Sequence, residues 1–168
     1  MKKVTSVVCT ALLAMSLHTA PALAADVTVT LPTFPVTLNG VTMEQSTSQY
    51  PMLVYKDITY VPMTWADTRL LGLESNWTQQ GGLVIEKSGT VQDQKTAQSA
   101  YQPYKADTAN AKSYKAVTAS GKITVNGKAI TNSSEEYPLL VFRDVTYFPL
   151  TWRFAVTEFG WDYSFVFI

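Results

Sequence analysis

The chain reads YPMLVYKDITYVPMTW at positions 50–65 and YPLLVFRDVTYFPLTW at positions 137–152. The two stretches lie 87 residues apart, and each difference between them keeps the apolar, aromatic or basic character of the position. The same offset pairs Val36–Gly40 with Ile123–Gly127. Self-similarity at one offset indicates an internal duplication, so the domain organisation follows from the repeat.

Each copy predicts the same series of elements. Asn39-Gly40 lies between alternating apolar and polar residues, a strong hairpin signal, because both central residues of such a turn need positive φ. A second hairpin has a charged tip at Lys56-Asp57, and a helix begins near Pro62 and ends at Gly72. A closing hairpin covers residues 74–87. We therefore predict an α+β fold: two repeats of a small antiparallel β-sheet packed around one α-helix (β-β-β-β-α-β-β), joined by a polar linker.

The repeat and the composition divide the chain into four segments. These are a signal peptide at 1–24, a first repeat at 25–87, a linker at 88–120 and a second repeat at 121–168. The linker is predicted from its Ala, Lys, Gln, Thr and Ser content and its few branched aliphatic residues. We expect the two copies to form near-identical folds with an independent core each, and Trp65 and Trp152 to occupy matching places.

The last strand of the repeat occurs only in the first copy. Ile168 matches Gln80 of the first copy, so residues 83–87 have no counterpart. We expect a vacant sheet edge at Phe165–Ile168 that favours self-association by strand addition. The run Val27–Leu31 has strand composition and, by this alignment, no counterpart in the second copy. It is expected to join the sheet of its own copy, or else to cross to the second copy; local pairing is favoured.

The N-terminus has the three parts of an export signal. Lys2 and Lys3 supply positive charge, Val4–Leu17 is mostly apolar, and Ala22-Leu23-Ala24 has the small-residue pattern of a cleavage site. The apolar run is shorter than the roughly 20 residues that span a bilayer. We expect cleavage before Ala25, a mature chain without a transmembrane segment, and a secreted or cell-envelope location.

Export removes two chemically important residue types. Cys9 and His18 are the only cysteine and histidine of the chain, and both lie in the predicted signal peptide. The remaining 144 residues contain 11 basic and 13 acidic side chains, a net charge of −2, so we expect no nucleic-acid partner. Without thiolate or imidazole groups, we expect no catalytic residue, no cofactor and no metal, and we predict that the protein is not an enzyme.

A longer pattern in the second copy resembles a known family. It consists of Val125-Asn126-Gly127-Lys128, Pro138, the run 144–150 and Gly160-Trp161-Asp162, and it resembles the stalk domain at the N-terminus of copper amine oxidases. The first copy is similar. The resemblance implies a five-stranded antiparallel sheet wrapped about one helix. It also implies an accessory module without copper or quinone, which occurs in exported bacterial proteins attached to varied partners.

The aromatic residues are the candidate contact residues. Trp65, Trp152, Trp161 and Tyr163 are candidates for contact with a ligand or partner. An exposed row of rings would stack on the sugars of a wall polysaccharide. Alternation along the strands instead favours a core role for the recurring aromatics, including Trp65, Trp77 and Trp152. Trp161 is the one most expected to be exposed or to join the two domains.

We therefore predict a non-catalytic binding or scaffolding protein that interacts with a cell-wall polysaccharide or an extracellular protein. The alternative is a carboxylate-type hydrolase, or an accessory subunit of an extracellular enzyme, because glycoside hydrolysis needs two carboxyl groups and no histidine. Glu135, Glu136 and Asp162 are the residues to test for that alternative. Surface solvation is the favoured interpretation of the adjacent glutamates.

Overall fold

The computed structural model describes residues 24–88 and 94–161. Several sequence-based predictions fall outside these residues. They concern the signal peptide except for its last residue, Asp162 as a catalytic candidate, Tyr163 as a contact residue, and the sheet edge at Phe165–Ile168.

Strands make up most of the regular structure in the described residues. They are β1 (Asp26–Thr30), β2 (Thr37–Leu38), β3 (Val41–Thr42), β4 (Leu53–Tyr55), β5 (Ile58–Pro62), β6 (Leu73–Thr78), β7 (Gly82–Lys87), β8 (Ser113–Thr118), β9 (Ile123–Val125), β10 (Lys128–Ala129), β11 (Leu140–Phe142) and β12 (Val145–Pro149). The helices are α1 (Trp65–Leu70), α2 (Gln94–Ala100), a 3-10 helix (Asn132–Ser134) and a π-helix (Trp152–Glu158). None of these helices is long and apolar enough to cross a membrane.

Two-residue turns connect the hairpin strands at the positions that the sequence predicts. Asn39-Gly40 and Asn126-Gly127 have positive φ at both residues, as this turn requires. Lys56-Asp57 and Arg143-Asp144 also have positive φ at both residues, although neither turn contains glycine. The first two predicted hairpins are therefore confirmed in both copies, and the closing hairpin is confirmed in the first copy as the pair of Leu73–Thr78 with Gly82–Lys87.

Six strands form a closed antiparallel barrel in the order β1-β4-β5-β12-β11-β8. The first copy contributes β1, β4 and β5, and the second copy contributes β8, β11 and β12 at the same 87-residue offset. β1 pairs with β8 and β5 pairs with β12, so both seams of the barrel join one copy to the other. In the second seam Val61 lies opposite its own counterpart, Phe148. The two copies are thus arranged around an approximate twofold axis.

The barrel shows that the predicted fold class is wrong. The copies are not two separate repeats, each with a sheet around one helix and an independent core, because the strands of one copy pair with those of the other. A three-stranded sheet leaves two edges of unpaired amides and carbonyls, and closure with the other copy removes both. The interval 88–120, predicted as a linker from its composition, contributes α2 and the barrel strand β8.

The expectation for Val27–Leu31 is also corrected. β8 is the counterpart of this run, at the 87-residue offset, although the sequence alignment shows none. β1 pairs with β8 over five residues, from Asp26 to Thr30, and meets its own copy at the single pair of Thr30 with Val54. The strand therefore crosses mainly to the second copy. Pairing with β8 closes the barrel, which pairing within the first copy alone would leave open.

Side chains from both copies fill the barrel. The buried residues are Val29, Leu53, Tyr60, Ala116, Leu140, Phe142 and Tyr147. Tyr60 and Tyr147 occupy equivalent positions, and neither hydroxyl group has a hydrogen-bond partner in the part of the chain that the structure describes. Burial raises the pKa of both phenols. The barrel core is therefore shared between the copies, and it contains two unpaired hydroxyl groups.

A second sheet also combines the copies. Its strand order is β10-β9-β7-β6, in which β7 of the first copy runs parallel to β9 of the second. The β2–β3 hairpin of the first copy forms a separate two-stranded sheet. The large core cluster takes residues from both copies, among them Leu38, Leu70, Ile85, Val125, Phe154 and Phe159. The prediction of independent cores fails here as well.

The basic residue at each charged hairpin tip makes a hydrogen bond to the other copy. Lys56 Nζ donates to the backbone carbonyl of Glu136, and Arg143 Nη1 donates to the backbone carbonyl of Gln49. These two contacts are equivalent under the 87-residue offset. Arg143 also lies over the ring of Phe142, at 4.7 Å from its centroid. The basic residue at each tip thus contributes to the contact between the copies.

Candidate functional site

The start of α1 places Trp65 on the surface. Thr64 caps the helix: its Oγ1 accepts a hydrogen bond from the backbone N–H of Asp67 at 3.1 Å and donates one to the Asp67 carboxylate. This reciprocal arrangement is a form of the capping box. Trp65 therefore occupies the first position of the helix, and its residue surface is 63% exposed. The predicted core role of Trp65 is wrong.

Asp67 is a buried carboxyl group beneath this surface. Burial raises its pKa, and hydrogen bonds from the Thr64 and Tyr101 hydroxyls oppose that rise. The Tyr101 hydroxyl donates to Asp67 Oδ1 at 2.9 Å. Burial and the neighbouring Asp67 raise the pKa of the Tyr101 phenol. Tyr101 thus remains a hydrogen-bond donor to the carboxyl group over the physiological pH range.

Tyr101 also belongs to the contact that attaches α2 to the first copy. Ala97 of α2 is buried in the large core cluster, and Tyr101 packs against the same cluster. Gln98 Nε2 donates to the backbone carbonyl of Asn39 at 2.8 Å. Asn39 in turn donates through Nδ2 to the carbonyl of Leu70, at the end of α1. The docked α2 therefore lies against both α1 and the tip of the β2–β3 hairpin.

A cleft of about 230 Å³ lies between α1 and α2. We call it the Trp65 cleft; its lining residues are Trp65, Ala66, Arg69, Leu70, Ala97, Ala100 and Tyr101. The guanidinium carbon of Arg69 lies 5.7 Å from the centroid of the Trp65 ring. Arg69 also donates to the carbonyl of Leu73 at 3.0 Å, which holds its side chain in place. The cleft therefore offers an indole face, small apolar side chains and one cation.

Trp152 occupies the equivalent place in the second copy. It begins the π-helix and is 68% exposed, so the prediction of matching places for Trp65 and Trp152 is confirmed and a core role for Trp152 is wrong. Thr151, unlike Thr64, makes no side-chain capping bond. Phe154 stands at the position of Asp67 and packs against Phe148, with ring centroids 5.1 Å apart. Both copies have the exposed indole, but the buried residue beneath it is Asp67 in the first copy and Phe154 in the second.

Trp161 joins the two copies. Its ring packs on Phe159 with centroids 4.8 Å apart, and its Nε1 donates to the carbonyl of Leu71 in the first copy at 3.1 Å. This is one of the two roles that the sequence suggests for Trp161. Tyr163 lies outside the described residues, so the structure brings no fourth candidate to this region.

Trp77 is an exposed indole that the sequence interpretation placed in the core. It lies in β6 and is 68% exposed. Thr68 of α1 faces Ser75 of β6, with the hydroxyl oxygens 3.3 Å apart. Trp65 is one turn before Thr68, and Trp77 is the next residue on the Ser75 face of the strand. The helix that carries Trp65 and the strand that carries Trp77 are therefore in contact through Thr68 and Ser75.

Asp67 was also missed by the sequence interpretation, and so was its contact with Tyr101. The spacing Thr64-x-x-Asp67 after Pro62 is a cap signal that would have placed Trp65 on an exposed first helical turn. No comparable signal links Tyr101 to Asp67, because they are 34 residues apart and meet only through the docking of α2.

The carboxyl groups considered for hydrolysis do not form a site in the described residues. Glu135 pairs with Arg153, and the contact of Glu136 with Lys56 is made by its backbone carbonyl. Asp162 lies outside the described residues. Within 24–88 and 94–161, no three His, Cys, Asp or Glu side chains are grouped so as to hold a metal ion.

Comparison of the chain with protein-family models, with curated proteins and with solved structures gives no match.

Proposed function

We propose that the chain is a non-catalytic binding or scaffolding protein of the secreted or cell-envelope fraction, which holds wall polysaccharide through exposed tryptophans. The observation that carries the proposal is the exposure of Trp65 and Trp152 at equivalent places on a fold that both copies build together. Trp77 adds a third exposed indole.

An exposed indole is well suited to a sugar ring. It presents a flat apolar face together with one N–H donor, and aromatic residues of this kind are frequent in binding surfaces. The C–H face of a pyranose is flat and weakly apolar, while its hydroxyl groups accept hydrogen bonds. In the Trp65 cleft the Arg69 guanidinium lies over one face of the Trp65 ring, so the opposite face is the one offered to a sugar. The guanidinium N–H groups that do not bond to Leu73 are donors toward sugar oxygens.

The symmetry of the fold favours a repeating polymer as the ligand. Trp65 and Trp152 are related by the approximate twofold axis, so one chain presents two similar surfaces at a fixed separation. When one surface has bound a polymer, the second meets a high local concentration of the next binding unit. Moderate affinity at each tryptophan thereby gives firm attachment overall.

Two features of the sequence point to the same location and role. The N-terminal pattern from Lys2 to Ala24 has the form of an export signal. The resemblance to the stalk domain of copper amine oxidases implies an accessory module rather than a catalytic one. We include both in the proposal: an exported, stalk-like protein in which the tryptophans supply the binding surface.

The test is retention of residues 25–168 on insoluble peptidoglycan and on immobilised wall polysaccharide, with intrinsic fluorescence to report on the exposed indoles. We expect Trp65→Ala and Trp152→Ala each to weaken binding, and the double variant to lose about ten-fold or more in affinity. Phe34→Ala is the matched control, because Phe34 is an exposed ring outside the Trp65 cleft. Unchanged retention of the double variant, or retention only on secreted proteins, would contradict the proposal.

A further inference from the structure

Equivalent strand edges have different neighbours in the two copies. In the second copy, β9 pairs with β10 on one side and with β7 on the other. In the first copy, β2 pairs with β3, and no other described strand pairs with it. β2 and β9 are counterparts under the 87-residue offset, so within residues 24–88 and 94–161 no strand lies beside β2 where the twofold arrangement would place an equivalent of β7.

The contacts of β7 show which backbone groups such an edge offers. Leu83 N–H donates to the carbonyl of Lys122 at 3.0 Å, and Asn126 N–H donates to the carbonyl of Ile85 at 2.9 Å. Lys87 N–H donates to Asn126 Oδ1 at 3.0 Å. Between these contacts Val84 lies opposite Thr124 in the parallel register.

The equivalent groups of the first copy form what we call the β2 edge: the carbonyl of Pro35, the N–H and carbonyl of Thr37, and the N–H and Oδ1 of Asn39. Thr37 directs its backbone away from β3, because the neighbouring residues on the strand, Val36 and Leu38, bond to β3. None of the β2-edge groups has a hydrogen-bond partner among the described residues.

The β2 edge is also accessible. Pro35, Thr37 and Asn39 are all exposed, whereas Thr124 and Asn126, the counterparts covered by β7, are partly buried. Gln98 of α2 bonds to the carbonyl of Asn39, which is not one of the β2-edge groups. A row of exposed, unpaired amides and carbonyls is a template for another strand.

We infer that the β2 edge binds an extended segment of a partner polypeptide, parallel to β2, in which a glycine is followed by alternate aliphatic residues. The inference rests on β7, which occupies the equivalent edge with Leu83 and Ile85 packed into the core and Gly82 at its start. Main-chain hydrogen bonds supply the affinity of such strand addition, and the alternate side chains supply the specificity.

Glycine is required at the start of the segment for a geometric reason. Gly82 has a φ of +72°, and a Cβ at this position would lie 2.0 Å from the carbonyl oxygen of Lys122. The counterpart of that oxygen in the first copy is the carbonyl of Pro35. The first contact of the bound segment therefore selects glycine over every other residue.

The probe is a fluorescein-labelled peptide with the sequence of residues 79–88, QQGGLVIEKS, titrated with residues 25–168 and followed by fluorescence anisotropy. We expect saturable binding that Thr37→Pro weakens about ten-fold or more, since proline removes the central N–H of the β2 edge. Thr42→Pro is the matched control: Thr42 lies opposite Thr37 and directs its N–H to the outer side of the hairpin. Its binding should stay within about two-fold of the original chain.

A second measurement does not depend on the folding of either proline variant. The same peptide with alanine at the position of Gly82 should bind the original chain about ten-fold more weakly or worse. The inference is overturned by an absence of saturable binding up to about 1 mM, by equal binding of the alanine peptide, or by binding that survives in a folded Thr37→Pro variant. The last result would place the peptide at β9, in exchange with β7.

Discussion

The helices α1 and Trp152–Glu158 begin with the same Thr-Trp pair, yet one is an α-helix and the other a π-helix. Thr64 caps α1 through Asp67, whereas Thr151 makes no side-chain cap. The second helix also has one more residue before its glycine, Gly160, than the first has before Gly72. A single inserted residue is accommodated in a helix by hydrogen bonds that reach one residue further back.

The hydrogen bonds show where the insertion is taken up. In α1, Leu71 N–H bonds to the carbonyl of Asp67, four residues earlier. In the π-helix, Phe159 N–H bonds to the carbonyl of Phe154, five residues earlier. The wider turn leaves Phe154 and Phe159 both fully buried. An aromatic core thus supports the second helix where a polar cap supports the first.

Among the variants that test this difference between the helices, Phe154→Ala is expected to lose the most stability. Replacing this phenylalanine with alanine leaves a cavity beside Phe148 and Phe159, and we expect a loss of about 3–5 kcal/mol in the free energy of unfolding. Urea denaturation followed by circular dichroism measures it. Trp152→Ala, at the exposed start of the same helix, is the control and should cost less than about 1 kcal/mol. Equal losses in the two variants would show that the aromatic core does not support the π-helix.

The second prediction compares the two threonines directly. Thr64→Ala removes a cap and leaves the buried Asp67 carboxyl group without one of its donors, so we expect a loss of about 1–2 kcal/mol. Thr151→Ala removes no side-chain capping bond and should change stability by about 0.5 kcal/mol or less. The same denaturation measurement applies to both. A larger loss for Thr151→Ala would contradict the structural difference between the helices.

The smallest expected effect is a pH dependence that comes from Asp67. Its pKa in the folded protein is raised above the ordinary value of 3.8, chiefly by burial. The folded state therefore holds the proton more tightly than the unfolded chain, and the resulting stabilisation is lost as pH rises through the raised pKa. We expect the stability of the original chain relative to Asp67→Asn to fall as the pH rises above about 4. A difference that is constant with pH, or that changes in the opposite direction, would contradict the raised pKa of this buried carboxyl group.

The local sequence predicts the turns and hairpins of the fold, but it does not predict which strands pair between the copies. The turns at Asn39-Gly40, Lys56-Asp57 and their counterparts follow from residue type, because positive φ is a local requirement. The choice between closing a sheet within one copy and closing it with the other depends on which edges meet, and no local pattern expresses that choice. β8 was overlooked because Ser113–Thr118 keeps the strand pattern of β1 with little identity to it.

The sequence identified the two tryptophans of the site, but it did not show that they are exposed. Trp65 and Trp152 were singled out by the repeat, and both lie on the surface. Alternation along a strand suggested burial, but it does not apply to a residue that begins a helix. The position at the start of a helix is common to both tryptophans, and both are exposed although only Thr64 makes a side-chain cap. Tyr101 reaches Asp67 from a distant part of the chain, which only the three-dimensional structure reveals.

The central claim is that the two copies close one barrel, and an engineered disulfide between β1 and β8 tests it most directly. Thr28 lies opposite Lys115 at the middle of this seam, and Lys115 Nζ donates to Thr28 Oγ1 at 2.8 Å. The predicted mature chain contains no cysteine, so Thr28→Cys with Lys115→Cys introduces one unambiguous pair. We predict an intramolecular disulfide, identified by mass spectrometry of non-reduced peptides from the monomer.

Val27→Cys with Lys115→Cys is the matched control, because neighbouring residues of a strand point to opposite faces of the sheet and Val27 packs toward the barrel core. The barrel predicts that this control pair remains largely reduced under the conditions that oxidise the first pair. Two separate domains would give no preference for Thr28 over Val27. Failure of the Thr28–Lys115 pair to form, or formation only between chains, would contradict the shared barrel.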